Sequence, residues 1–159
     1  MIYTSSHNNW NSDICRSYAI SGNRGKDANY KGECYPKLAP KLGFWKIWHD
    51  NIGKISEEEN NKYYIREFYN QVLSKLDPVE VNNELNDSVL LCYEENTEFC
   101  HRHIVAAWLE LSIEGVIVPE VKGDKNVMYE VKKPAYIKEY LKEYINKEKP
   151  KVLSKEKNS

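Results

Sequence analysis

The chain has 159 residues, the length of one ordinary domain, with 41% hydrophobic and 30% charged residues; that balance excludes a collagen-like or broadly disordered chain. Its 23 Lys and Arg against 24 Asp and Glu leave a formal net charge of −1, which excludes a globally basic nucleic-acid binder and leaves room only for a local basic groove. No apolar stretch approaches the roughly 20 residues that span a bilayer, which argues against a membrane partner.

Ile2 to Ser5 is a short β-like run. The amino end lacks the basic and apolar regions of a secretory signal, so a cytoplasmic protein is expected. Its four cysteines, Cys15, Cys34, Cys92 and Cys100, are then expected to be free thiols. Asp13 to Ile20 reads as a second strand. From Ser21 to Lys41 the chain is polar and rich in Gly and Pro, and long loops of this kind are functional or disordered. Its Tyr30, Cys34 and Tyr35 favour an ordered, packed loop. Phe44 to His49 reads as a short helix or turn.

Glu57 to Leu76 is the strongest helix, with Tyr64, Ile65, Phe68, Val72, Leu73 and Leu76 near the spacing of one face and Ser56 with Glu59 as a capping box. Asp77-Pro78 caps a second helix over Val79 to Leu85. Ser88 to Tyr93 is the best strand, and its continuous apolar run predicts burial on both faces, as in a parallel sheet. Thr97 to Ser112 reads as a helix capped by Asn96 or Thr97, and Val116 to Pro119 as a further strand. Strand, helix and strand in that order imply an α/β architecture with a mostly parallel sheet and helices on both of its faces. Met128 to Val131 reads as a late edge strand and Pro134 to Lys147 as an amphipathic helix. The expected domain spans residues 1 to 147, with a disordered Lys/Glu-rich tail over 148 to 159.

The chemistry concentrates between Cys92 and His103. Ligands of open α/β sheets bind beyond the carboxyl ends of the strands, where Cys92 and Glu94 fall. Cys100, His101 and Arg102 fall at the start of the next helix, where free N–H groups favour an anion. A thiol beside Arg102 and that helix end is expected to have a lowered pKa. His103 points to another helix face and reads as packing or solvated. Cys92 has two readings, a small buried hydrophobe or a site residue. Metal chemistry also has two sides. Cys92, Cys100 and His101 with Cys34 or Cys15 suit zinc or iron, yet no Cys-x-x-Cys or His-x-x-x-His pair is present, so no metal ligand is assigned. Lysines interleaved with aromatics from Tyr30 to Trp48 suit base stacking, though an ordinary packed loop is the favoured reading, and Trp45 and Trp48 read as core.

In these residues the chain resembles the prokaryotic family of domains of unknown function numbered 488. That family carries an apolar strand, a Cys-x-Glu, a short loop, and a Cys-His-Arg that opens a helix. Here the pattern is Val89-Leu90-Leu91-Cys92-Tyr93-Glu94 and Cys100-His101-Arg102. Tyr3-Thr4 with His7, and Arg16-Ser17, are similar to the family's first two strands, although Ser6 stands where a Gly is usual. The resemblance spans residues 1 to 121, with its motif over 88 to 105. It implies a Rossmann-like α/β domain with these residues meeting at one sheet edge, and carries no established activity.

The expected function is an enzyme, a thiolate-dependent hydrolase or transferase, acting on a small phosphorylated or nucleotide-like ligand. Cys100 is the expected nucleophile, with Cys92 beside it and Glu94 or His101 moving protons. Arg102, Arg16, Ser17, Ser5 and His7 are the expected ligand contacts, and Arg24 is a further candidate. No cofactor is assigned, and nucleic acid is compatible but not favoured. The alternatives are a non-catalytic nucleotide- or metabolite-binding module and a metal-stabilised interaction protein.

Overall fold

A computed structural model describes residues 1–22 and 29–157, with side chains as far as Glu148. Four parallel strands form the main sheet. They are β1 (Ile2–Ser6), β3 (Arg16–Ala19), β4 (Glu33–Cys34) and β5 (Ser88–Cys92), in the spatial order β1-β5-β3-β4. β5 lies between two neighbours and all five of its residues are buried. A strand in that position has no wet face, which is why its sequence is a run rather than an alternation. The expected α/β class, with a parallel sheet and flanking helices, is the observed one.

Alternate residues of β5 serve two cores. Leu90 joins Ile2 and Tyr18 in the larger cluster, to which all five helices contribute. These are α1 (Leu42–Asp50), α2 (Glu57–Gln71), α3 (Pro78–Glu84), α4 (His101–Ser112) and α5 (Ala135–Lys157). Val89 and Leu91 face the other way and pack with Trp10 and Val121, with Met128 against them. Those residues belong to β2 (Trp10–Ser12), β6 (Val121–Lys125) and β7 (Val127–Glu130), a second sheet in the order β2-β6-β7. The expectation of helices on both faces is therefore corrected: the smaller cluster contains no helical residue among those described, and strands cover that face.

Local signals set most boundaries. Ser56 caps α2 by accepting from the Glu59 N–H at 3.1 Å, and Asp77 caps α3 by accepting from Val79 at 2.9 Å, with Pro78 in the first helical position. α2 stops at Gln71, and Leu73–Lys75 form a tighter 3₁₀ turn where the helix was expected to continue.

Two expectations fail for tertiary reasons. Val116 to Pro119 is not a strand. The Val118 N–H donates to the Glu110 carboxylate at 2.9 Å, its carbonyl accepts from Lys133 Nζ at 2.7 Å, and Pro119 has no N–H to give a ladder. The chain pairs with β1 through the parallel bridge of Thr4 with Glu120, the Thr4 N–H donating to the Pro119 carbonyl at 2.9 Å, before β6 turns away to pair with β2. α4 begins at His101 rather than Thr97, because Asn96 is diverted to the Lys132 carbonyl at 2.7 Å and residues 95–98 form a turn closed by the Glu98 N–H donating to the Glu95 carbonyl at 3.1 Å. Cys100 is the residue before the first helical turn, in extended conformation.

Candidate functional site

The carboxyl ends of β1, β5 and β3 meet at one edge. Cys92 is in register with Ser6, and the Ile20 N–H donates to the Leu91 carbonyl at 3.1 Å. α4 starts over this edge, so a strand end and a helix start nine residues apart in sequence bring Cys92 and His101 together. Cys92, Glu94, Cys100 and His101 form the floor of a cavity of about 520 Å³. Its walls are Leu42, Trp45 and Trp48 of α1, Tyr64 of α2, and Tyr93 and Phe99 of the intervening loop, and its rim holds Ser21, Gly22 and Pro40. These wall rings pack edge to face on one another, Tyr64 against Phe99 at 5.3 Å and Trp48 against Tyr64 at 5.3 Å between centroids. The volume falls in the range of small-molecule pockets.

On the floor, Cys92 Sγ is 3.4 Å from His101 Nδ1 and 3.7 Å from Glu94 Oε2. The other imidazole nitrogen, Nε2, is 2.9 Å from the carbonyl oxygen of Ile20. A carbonyl only accepts, so Nε2 carries the proton of the neutral ring and Nδ1 offers a lone pair to the Cys92 thiol. Phe68 packs edge-on against the imidazole at 5.6 Å and holds its plane. Cys100 completes the group, with the donor atoms of Cys92, Cys100 and His101 all within 4.8 Å of one another.

The electrostatics correct one expectation. Burial pushes the Cys100 thiol well above its ordinary pKa of 9.0, and its hydrogen bond and charge interaction with Cys92 add to this; Arg102 and His101 pull the other way and lose. Cys100 is therefore a protonated thiol in the folded chain, not the low-pKa thiolate that its neighbours in sequence suggested.

The expected ligand contacts separate from the floor. Arg102 is completely buried and holds Glu120 through Nη2 at 2.8 Å and Nε at 3.1 and 3.3 Å, so its guanidinium is occupied by a carboxylate rather than turned to the cavity. Thr4 Oγ1 donates to the same carboxylate at 2.6 Å. Ser5 Oγ donates to the Val121 carbonyl at 2.6 Å and ties β1 to β6. Arg16 is exposed at the amino end of β3, in register with Ser88, which is about 13 Å along the strand from Cys92. Ser17 Oγ is 3.2 Å from the Tyr30 hydroxyl. His7 follows β1 at the correct edge, but its ring lies between Tyr30 and Tyr93 and is not part of the cavity lining. Arg24 lies outside the described residues. Cys15 and Cys34 take no part in the cluster.

Sequence reasoning missed Tyr64 and Phe99 as walls and underrated Trp45 and Trp48; the pairing of an apolar wall with the motif was the available signal. The Ile20 carbonyl has no signature, because every residue carries one.

A model of the active DUF488-N3 subclade matches residues 2–112. The chain belongs to the DUF488 family. The match starts in β1 and ends at the last residue of α4, so it takes in every floor residue of this DUF488 domain and stops short of Glu120, the partner of Arg102. No curated protein and no solved structure matches the chain. Among the described residues, no helix is long and apolar enough to cross a membrane.

Proposed function

We propose that this DUF488 domain is a thiol enzyme, a hydrolase or transferase, acting on a small nucleotide-like ligand. The observation that carries it is the Ile20 carbonyl, which sets the His101 tautomer so that Nδ1 accepts from Cys92. A nucleophile, its base and a group that orients the base are thereby in line. The role expected of Cys100 passes to Cys92, whose Sγ lies 3.4 Å from His101 Nδ1, because burial and Cys92 outweigh the pull of His101 and Arg102 on the Cys100 thiol.

In the reaction, Cys92 Sγ bonds to an electrophilic carbon of the ligand as the bond to the leaving group breaks. The thiol proton passes to His101 Nδ1 and from there to the departing atom. Water, or a second acceptor, then displaces the sulfur, with Glu94 taking the proton of the incoming group. The apolar, aromatic walls support a planar ring such as a base. Among the described residues, no Lys or Arg lines the cavity.

The test uses the reduced chain carrying Cys15→Ser and Cys34→Ser. Iodoacetamide is expected to modify Cys92 before Cys100, and His101→Gln to slow that reaction. Equal rates for the two thiols, or no effect of His101→Gln, would refute the dyad. A panel of nucleosides and nucleotides followed by mass spectrometry is expected to show turnover that Cys92→Ser abolishes. Ligands bound but unchanged would leave a binding module instead. Trp45, 37% exposed, is a wall with little core role, so Trp45→Ala is expected to weaken ligand binding and leave stability within about 0.5 kcal/mol.

A further inference from the structure

We propose that the cavity floor is also a metal site, in which Cys92 Sγ, Cys100 Sγ and His101 Nδ1 hold one zinc-type divalent cation and thereby silence Cys92. The proposal rests on the floor geometry above, not on attack by Cys92, and makes the metal a regulator of the thiol chemistry.

The distances fit. Ligands about 2.3 Å (sulfur) and 2.0–2.1 Å (nitrogen) from a tetrahedral zinc stand roughly 3.6 Å apart for S and N and roughly 3.8 Å for two sulfurs. Cys92 Sγ and His101 Nδ1 already stand 3.4 Å apart, and the third donor, Cys100 Sγ, lies within 4.8 Å of both. Closing the group onto a cation therefore needs side-chain shifts well under the size of a rotamer change. The donors sit on unlike supports, the end of a buried strand and the start of a buried helix, which hold them in place without the metal.

The orientation fits as well. A metal-binding histidine characteristically donates its second ring N–H to a carbonyl or carboxylate, which fixes the tautomer and strengthens the ligand nitrogen. His101 makes that bond, 2.9 Å to the Ile20 carbonyl, and its Nδ1 lone pair faces the sulfurs. Two thiolates and an imidazole select zinc over the hard, oxygen-loving cations. All three ligands line the cavity, so the fourth position opens on it, next to Glu94, whose Oε2 is 3.7 Å from Cys92 Sγ. Binding releases two thiol protons, one from each cysteine, and consumes no oxidant or reductant. While the metal is bound, the Cys92 sulfur and the His101 lone pair are both committed, so neither nucleophile nor base remains.

The test titrates the full, reduced chain with Co²⁺ as a coloured stand-in, then with Zn²⁺. Stoichiometric Co²⁺ is expected to give a thiolate-to-cobalt charge-transfer band and the visible bands of tetrahedral cobalt, which Zn²⁺ erases. Cys92→Ala and Cys100→Ala are each expected to lose the band, while Cys15→Ser with Cys34→Ser keeps it. A wild-type chain without the band, or a Cys92→Ala/Cys100→Ala chain that retains it, overturns the proposal. A second measurement needs no variant: Zn²⁺ should protect Cys92 and Cys100 from N-ethylmaleimide and leave Cys15 and Cys34 as reactive as before. Unchanged reactivity of Cys92 and Cys100 also overturns it. The thiol enzyme fails differently, through equal alkylation of Cys92 and Cys100 in the metal-free chain, and the cobalt band does not depend on that result.

Discussion

Glu120→Leu removes the carboxylate that the fully buried Arg102 holds through Nε and Nη2. Both side chains have zero exposure, so no water replaces the lost partner. Breaking a buried pair from one side costs about 3–5 kcal/mol, because the remaining charge is uncompensated. Thr4 also loses the acceptor of its 2.6 Å hydrogen bond, adding about 1 kcal/mol. For a domain of this size each kcal/mol lowers Tm by about 2–4 °C, so the combined loss of about 4–6 kcal/mol is expected to lower Tm by roughly 8–24 °C. Urea titration followed by circular dichroism measures the change, with an unchanged slope confirming the same unfolding transition. The companion variant Arg102→Met/Glu120→Leu removes both charges and fills the same space with apolar atoms, and should recover most of the loss. A single variant that costs less than about 1 kcal/mol would refute the reasoning. So would a double variant no more stable than Glu120→Leu, since the cost would then not arise from the stranded guanidinium.

The neighbouring His103 predicts a pH dependence. Burial, then the charges of Arg102 and Lys133, push its pKa down from 6.5 to about 2, and its Nδ1 at 3.9 Å from Glu120 does not offset this because Arg102 already holds that carboxylate. Below 6.5 the unfolded chain binds a proton that the folded chain refuses, so stability is full above that pH and falls as the pH drops toward 2. The share from His103 is about 1.4 kcal/mol per pH unit, and His103→Asn should flatten the slope of stability between pH ~6 and ~4; identical slopes would exclude the assignment. Two glycines predict opposite signs. A Cβ on Gly123 would stand 2.5 and 2.6 Å from Trp10 ring carbons, so Gly123→Ala should cost about 1–3 kcal/mol by disturbing the smaller core. A Cβ on Gly43, inside α1, meets nothing within 4 Å, so Gly43→Ala should stabilise by about 0.5–1 kcal/mol; thermal unfolding of the two variants checks both.

What was legible in the sequence was local. The unbroken run of β5 announced a strand with two buried faces, and Ser56 and Asp77-Pro78 marked helix starts with their own side chains. That Cys92, Glu94, Cys100 and His101 come together was legible because they fall at a strand end and at the start of the next helix, and all four line one cavity. β2 was not legible, since three residues with one apolar side chain carry no period. Nor was the failure of Val116 to Pro119 to form a strand, which depends on Glu110 and Lys133 reaching its backbone.

The character of the site was decided by the tertiary structure alone. Arg102 follows Cys100 by two residues and reads as its activator, yet it pairs with Glu120, eighteen residues further on, and burial overrides its effect on the thiol. The orientation of the His101 ring is set by a backbone carbonyl just past β3, at Ile20, which no side-chain pattern encodes. Periodicity and caps are short-range properties and can be read from neighbours along the chain. Desolvation, ion pairing and tautomer choice depend on which distant segments close around a group, so they exist only once the chain has folded.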